Sequence, residues 1–240
     1  MDEGIRINKY LADCGICSRR GADELIDKGE VTVDGKKAER GMKIVPGNEV
    51  KVGGKVISGA EEKVYLAFNK PRGIVCTSEK KEEHNVIDYL KYPRRITYSG
   101  RLDKDSEGLL IMTNDGDLID AMMRSRNDHE KEYIVTVDKT ITDATLYRMS
   151  KGVFLEDLDV TTKKCKVTRV SDNTFEMIIT QGLNRQIRRM CQAFGYRVRK
   201  LVRVRVMNIR LGDLAVGKYR ELTDSEVTDL MAGCGLQRNK

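Results

Sequence analysis

Five carboxylates crowd one short stretch, SGRLDKDSEGLLIMTNDGD at positions 99–117: Asp103, Asp105, Glu107, Asp115 and Asp117, interleaved with Arg101 and Lys104. The apolar run from Leu109 to Met112 inside it reads as a buried strand, which leaves the carboxylates at its two ends. A carboxylate held there can act as a nucleophile or can move a proton. It must be ionised to do so, and burial opposes ionisation unless a cation lies close by.

Cations are abundant in a second stretch, QGLNRQIRRMCQAFGYRVRKLVRVRV, which carries Arg185, Arg188, Arg189, Arg197, Arg199, Lys200, Arg203 and Arg205. Its first half has helical spacing and opens near Asn184, where free backbone N–H groups favour phosphate. In its second half Val202, Val204 and Val206 alternate with Arg203 and Arg205, which predicts a strand with one buried face and one cationic face. At the other end of the chain Arg6, Lys9, Arg19, Arg20 and Lys28 share the polar side of two short helical patterns. Each surface reads either as a solvated face or as half of a nucleic-acid footprint, and their separation in sequence favours a large polyanion over a small ligand.

Other chemistries lose their anchors. Cys14-Gly15-Ile16-Cys17 has no second ligand pair to complete a zinc site and lies between helices, which favours two half-buried thiols. His84 and His129 are isolated, so a Ser/His hydrolase is not expected, and no phosphate loop, dinucleotide fingerprint or H-E-x-x-H is present. No metal and no cofactor is therefore expected. The chain has 240 residues, 40% hydrophobic and 34% charged, with a formal net charge of +7, as in a globular protein with a sizeable core. No apolar run is long enough to span a membrane, and MDEGIRINKY lacks the core of a secretory signal. The expectation is a cytoplasmic protein with its six cysteines reduced and no membrane partner.

The elements that must position these groups fall into two patterns. Residues 1–58 read as a helix through Ile7, Tyr10, Leu11 and Cys14, then a second helix capped by Ser18 and closed by Gly29. A hairpin follows at Asp34-Gly35, then a strand pair turning at Pro46-Gly47. Gly53 to Glu62 is rich in small and polar residues and reads as a linker, with residues 59–63 as the joint. From 64 to 240, short strands (VYLAFN, LLIMT, EYIVTV, TFEMIIT, RVRVMNI) outnumber helices (DGDLIDAMM, ATLYRMS, RQIRRMCQAF, DSEVTDLMAG). They do not alternate one for one, which predicts an α+β fold with a mixed, largely antiparallel sheet.

Several segments also carry a family resemblance. RINKYLADCGICSRRGADELIDKGEVTVDG resembles an S4 RNA-binding domain. FNKPRGIVCT, GRLDKDSEGLLIMTNDGDL, KEYIVTV and GLNRQIRRM resemble, in order, the motifs of the RsuA/RluB/RluE/RluF group of pseudouridine synthases, with RNDHEKEYIVTVDK and KKCKV most like the RluF type. Ser106 and Gln181 stand where many relatives have Thr and Glu. The resemblance implies a small S4 domain joined to a pseudouridine synthase catalytic domain. It makes Asp103, in G-R-L-D, the catalytic carboxylate and Tyr133 the residue packed on the target base. Arg188 becomes the cation paired with Asp103. RNA contacts are expected from Arg101, Leu102, Lys104, Leu183, Asn184, Arg185 and Gln186 in one domain and from Arg6, Lys9, Arg19 and Arg20 in the other.

The implied reaction breaks the C1′–N1 bond of a uridine, turns the base and joins C1′ to C5. No redox change or group carrier is required. The implied partner is ribosomal RNA of the large subunit or its precursor, acted on by a monomer, with small-subunit or transfer RNA as alternatives. A non-catalytic S4-type assembly factor would retain the basic surfaces but has no use for a carboxylate among them. A two-carboxylate glycosidase would leave those surfaces unexplained.

Overall fold

The computed structural model describes residues 4–79, 81–124 and 128–237. Two compact units are present, one made of the chain up to Val64 with Tyr92–Ile96 and Asn114–Gly116, the other of the remainder. Among the described residues no helix is long and apolar enough to cross a membrane.

The first unit contains β1 (Ile5–Arg6), α1 (Ile7–Asp13), α2 (Arg19–Asp27), β2 (Val31–Val33), β3 (Lys36–Lys37), β4 (Lys43–Ile44), β5 (Val50–Val52) and β6 (Lys55–Ile57). Local chemistry sets most of its boundaries. The Ser18 hydroxyl accepts from the Gly21 N–H at the start of α2. At its end Gly29, at φ +70°, lets Gly29 N donate to Ile26 O and Glu30 N to Leu25 O, a Schellman closure. Asp34 and Gly35 both have positive φ, as the hairpin between β2 and β3 requires. Ile7, Leu11, Ala22, Ile26, Val31, Ile44 and Val50 bury their side chains between the helices and strands.

Two sequence expectations fail here. The strands on either side of Pro46-Gly47 do not pair with each other: β4 pairs with β1, and β5 pairs with β2 and β6. The Asn48 side chain accepts from Val45 N, closing a tight loop that sends the strands to different partners. The stretch from Gly53 to Glu62 does not begin as a linker either. Gly53 and Gly54, both at positive φ, make the turn into edge strand β6, and Glu61 N donates to Asp13 O.

The second unit contains β7 (Tyr65–Lys70), α3 (Val86–Leu90), β8 (Thr97–Ser99), β9 (Glu107–Thr113), α4 (Gly116–Met123), β10 (Lys131–Val137), α5 (Asp143–Ser150), β11 (Phe154–Leu155), β12 (Val160–Thr161), β13 (Lys166–Ser171), β14 (Thr174–Ile179), α6 (Gln186–Ala193), β15 (Val198–Val206), β16 (Ile209–Arg210), β17 (Tyr219–Glu221) and α7 (Asp224–Gly233). Its sheet runs β13-β14-β10-β15-β9-β7-β17, with β16 on β15 and β8 on β9. Only the β15–β9 contact is parallel among these pairings, so the sheet is mixed and mostly antiparallel, as expected. Ala67, Leu109, Ile111, Leu118, Val206, Val227 and Leu230 form a core under α4 and α7.

One detail of this sheet positions the carboxylate stretch. β9 shares an edge between two strands: Ile111–Thr113 pair with β8, while Glu107 and Gly108 pair with β15. The loop from Gly100 to Ser106 joins β8 to β9 where these partners change over. Gly108 has φ +105°, and a Cβ there would lie 2.7 Å from the Arg203 nitrogen and closer still to its carbonyl oxygen. Both the backbone angle and the approach of β15 require glycine. Gly108→Ala is expected to destabilise the protein by about 3 kcal/mol, from strain and overpacking together; urea denaturation measures this, and a loss under about 0.5 kcal/mol would show that β15 can move aside.

Candidate functional site

A cleft of about 990 Å³ opens over the changeover point, lined by the loop bearing Asp103, by β10 and β15, and by the segment leading into α6. Asp103 is the one carboxylate in its described lining, set among Arg101, Lys104, Lys131, Arg185 and Arg203. The Asp103 loop is tied down on several sides. Ser106 N donates to Asp103 O and Gly73 N to Lys104 O, and Leu102 N–H points to the Cys76 sulfur.

Among the described residues the cation nearest the Asp103 carboxylate is Arg185, whose Nη1 lies 3.9 Å from Oδ2 while its Nη2 lies 3.8 Å from Asp105 Oδ2. Arg185 precedes α6 with φ +50°, a sparsely populated conformation for a side-chain-bearing residue. Arg188, the cation expected to pair with Asp103, reaches elsewhere. Its Nη2 donates to Asp105 O at 2.9 Å and to Ser106 Oγ at 3.3 Å, and its Nη1 to Val198 O. It lies one turn into α6, beneath the loop, so its fork meets main-chain oxygens. Burial lowers its pKa, and neighbouring Arg185 adds to this against the pull of Asp105 and Asp103; a guanidinium stays charged regardless.

β15 departs from its predicted alternation. Arg203 is only 3% exposed, with Nε on Leu109 O at 2.7 Å and Nη1 on Arg101 O at 3.4 Å. The cause is a register slip: Tyr133 pairs with Arg203 but Glu132 with Arg205, leaving Val204 as an extra residue. Leu201, Arg203 and Val206 thereby share the buried face of Tyr133, and Arg205 turns the other way to Glu132 and Glu130. Neither arginine belongs to an open cationic face.

Tyr133 is buried and lines the cleft from β10. Lys131, two residues along on the same face, donates to His129 O; burial and the Arg203 charge both lower its pKa. Beneath the cleft Lys70 is wholly enclosed, donating to Pro71 O and Ile74 O, and burial lowers its pKa against the opposing influence of Cys76 and Asp103.

The other expected contact residues divide. Arg101, Lys104, Asn184 and Arg185 are exposed, and Leu183 is half-buried. Leu102 is packed in the core, and Gln186, 4% exposed, uses its amide on Leu183 N and Met190 Sδ. Both nonetheless line the cleft. In the first unit Arg6, Arg19 and Arg20 are exposed and Lys9 pairs with Asp13. Sequence reasoning passed over Lys131 and Arg203 as cleft residues. For Lys131 the signal was its place in K-E-Y, two positions before the tyrosine; for Arg203 the alternation pointed the wrong way.

Residues 64–193 match the family described as RNA pseudouridylate synthase, and residues 5–50 match the S4 domain. The dual-specificity RNA pseudouridine synthase RluF of Escherichia coli (strain K12) is 49% identical over 95% of this chain and 79% of its own length. The ribosomal large subunit pseudouridine synthase B of Bacillus subtilis (strain 168) is 35% identical over 95% of this chain and 96% of its own. A crystal structure of a pseudouridylate synthase superposes with a TM-score of 0.69 at 27% identity, covering 95% of this chain and all of the other.

Lys131 gives a stability test with a definite sign. Its folded pKa is depressed, so at neutral pH the folded state carries the cost of a desolvated ammonium. That cost is relieved as pH rises through the folded pKa towards the ordinary lysine value of about 10.4. Lys131→Met is expected to raise the melting temperature at pH 7 by about 2 °C, with the gain shrinking as pH rises across that window. Calorimetry at several pH values measures this, and a lower melting temperature at pH 7 would contradict it.

Proposed function

As a member of the RNA pseudouridylate synthase family that also carries an S4 domain, this chain is an isomerase, and we propose that it converts a uridine of large-subunit ribosomal RNA to pseudouridine with Asp103 as the reacting carboxylate. The observation that carries this reading is a cleft in which, among the described residues, Asp103 is the single carboxylate and the other charged side chains are cations. A phosphate-binding groove gains nothing from an acid at its centre, whereas a uridine isomerase needs one.

The target nucleotide leaves its stack to enter the cleft, which costs a few kcal/mol. The Tyr133 ring offers the flipped base a stacking face worth ~1–3 kcal/mol. Asp103, one-third exposed and beside Arg185, then acts as nucleophile or proton carrier while C1′–N1 breaks and C1′–C5 forms. The hydrogen displaced from C5 leaves as a proton and the base gains one at N1, so the isomerisation balances without an electron acceptor. Arg188 acts as a positioning residue, fixing the Asp105 main-chain oxygen and the Ser106 hydroxyl behind the carboxylate. Arg203 holds the other side through Arg101 O. Its Nη2 is buried with no hydrogen-bond partner among the described residues.

The large-subunit target is supported by the RluF-like segments and by relatives whose names specify either the large subunit or dual specificity. Unpaired loops are the favoured setting, since their bases splay at lower cost than those of a duplex. Residues 1–58, with Arg6, Lys9, Arg19 and Arg20, would anchor a neighbouring helix through phosphate.

Asp103→Asn keeps the shape and loses the charge. Turnover is expected to fall at least about 10³-fold, as for removal of a covalent or acid–base catalyst, with RNA affinity nearly unchanged. Mapping pseudouridine after incubation with both ribosomal RNAs and total transfer RNA reads the residue and the substrate together. Residual activity within tenfold would remove Asp103 from the chemistry, and modification confined to small-subunit or transfer RNA would replace the substrate. For the S4 surface, replacing Arg6, Arg19 and Arg20 by alanine should lower the slope of log K against log salt by about 2, at roughly 0.7 per phosphate contact. An unchanged slope would make these side chains merely solvated.

A further inference from the structure

Away from the catalytic cleft, α5, α6 and the segment around β11 enclose a depression of about 700 Å³. Two of its rings are left in solvent, Tyr147 at 64% and Phe154 at 53% exposure. Neither is needed to complete a core. Lys151 Nζ sits 4.7 Å from the Tyr147 ring centroid, and the Arg148 guanidinium 4.9 Å from that of Phe194. Rings backed by guanidinium and ammonium groups suit one class of ligand well: bases stack on the rings and on the guanidinium plane, and phosphates meet the cations.

The depression and the catalytic cleft are separate cavities that lie along the same helix, α6, and one side chain links their linings. Arg189, in its lining, binds Asn184 O at 3.0 Å through Nε and Asn184 Oδ1 at 3.3 Å through Nη2, and Asn184 lines the cleft. The remaining Arg189 nitrogen pairs with Asp157, which offsets one of the two carboxylates at the rim; the other is Glu156. From Gln186 to Ala193 the helix rises ~10 Å, about the length of three stacked nucleotides.

We propose that this depression is an accessory single-stranded RNA subsite that holds an unpaired nucleotide flanking the target uridine on the same strand. The subsite rests on the reading of the substrate as RNA, but its test reads binding and not turnover. Binding of a fluorescent 12-nucleotide oligouridylate to the full chain is compared with Tyr147→Ala/Phe154→Ala, Tyr147→Phe, Lys151→Ala and Asp103→Asn. The double alanine variant should bind about tenfold more weakly or worse, while Tyr147→Phe and Asp103→Asn keep the parent affinity. Lys151→Ala should lower the salt slope by about 0.7. Saturating RNA should restore the parent kcat in each depression variant, since none lies in the cleft. Affinity within twofold of the parent for the double variant overturns the subsite, whatever the turnover assays give. Weak binding with loss of the Tyr147→Phe rescue overturns it as well, because stacking is then not what the ring supplies.

Discussion

The arrangement of the cleft depends on a guanidinium with almost no access to water. Arg203 donates to Leu109 on β9 and to Arg101 in the Asp103 loop, so a single side chain joins β15, β9 and the Asp103 loop. Burying a charge in this way costs several kcal/mol before hydrogen bonds offset it. The fold meets part of that cost with two carbonyl acceptors and leaves Nη2 without a partner among the described residues. Gly108 makes the arrangement possible, because only a residue without a Cβ lets the Arg203 backbone come so near. The slipped register opposite Tyr133 then turns the Arg203 side chain inward.

From this clamp follows an uneven distribution of charge. Half-buried Lys131 and buried Arg203 line the cleft, Lys70 is enclosed outside its lining, and burial depresses the pKa of both lysines. Such an arrangement is poor for stability and suited to a polyanion, whose phosphates and carbonyls supply the counter-charge the protein omits. Arg185, by contrast, is exposed and has two carboxylates beside it. Its left-handed backbone is an added cost, and it places the guanidinium between Asp103 and Asp105. Strain of this kind persists where a site over-determines it.

Membership in the RNA pseudouridylate synthase family, together with the S4 domain, is consistent with cations placed at several separate surfaces. Surfaces of this kind suit a polyanion contacted at more than one point. The two exposed rings by α5 and β11 lie on the second unit, in a depression that Arg148, Lys151 and Arg189 also line.

Much was legible in the residues themselves. The Ser18 cap, the Gly29 closure, the Asp34-Gly35 hairpin, the main strands and helices of the second unit and the mixed sheet all follow from chemistry within a few positions along the chain. So did the family, because its motifs are contiguous. What only the tertiary structure decided involves partners far apart: Arg203 and Leu109 are 94 positions distant and Arg188 and Asp105 are 83. A period-two pattern placed Arg203 outside, and a one-residue bulge against another strand brought it in. Arg188 was assigned to the Asp103 carboxylate by resemblance, yet its position on α6 directs it to the main chain, and Arg185 stands nearer the acid. The strands beside Pro46 were likewise local neighbours that found other partners. Periodicity and capping act over one turn or one hairpin, whereas register, bulges and the burial of a charge are set by whichever distant segment packs alongside.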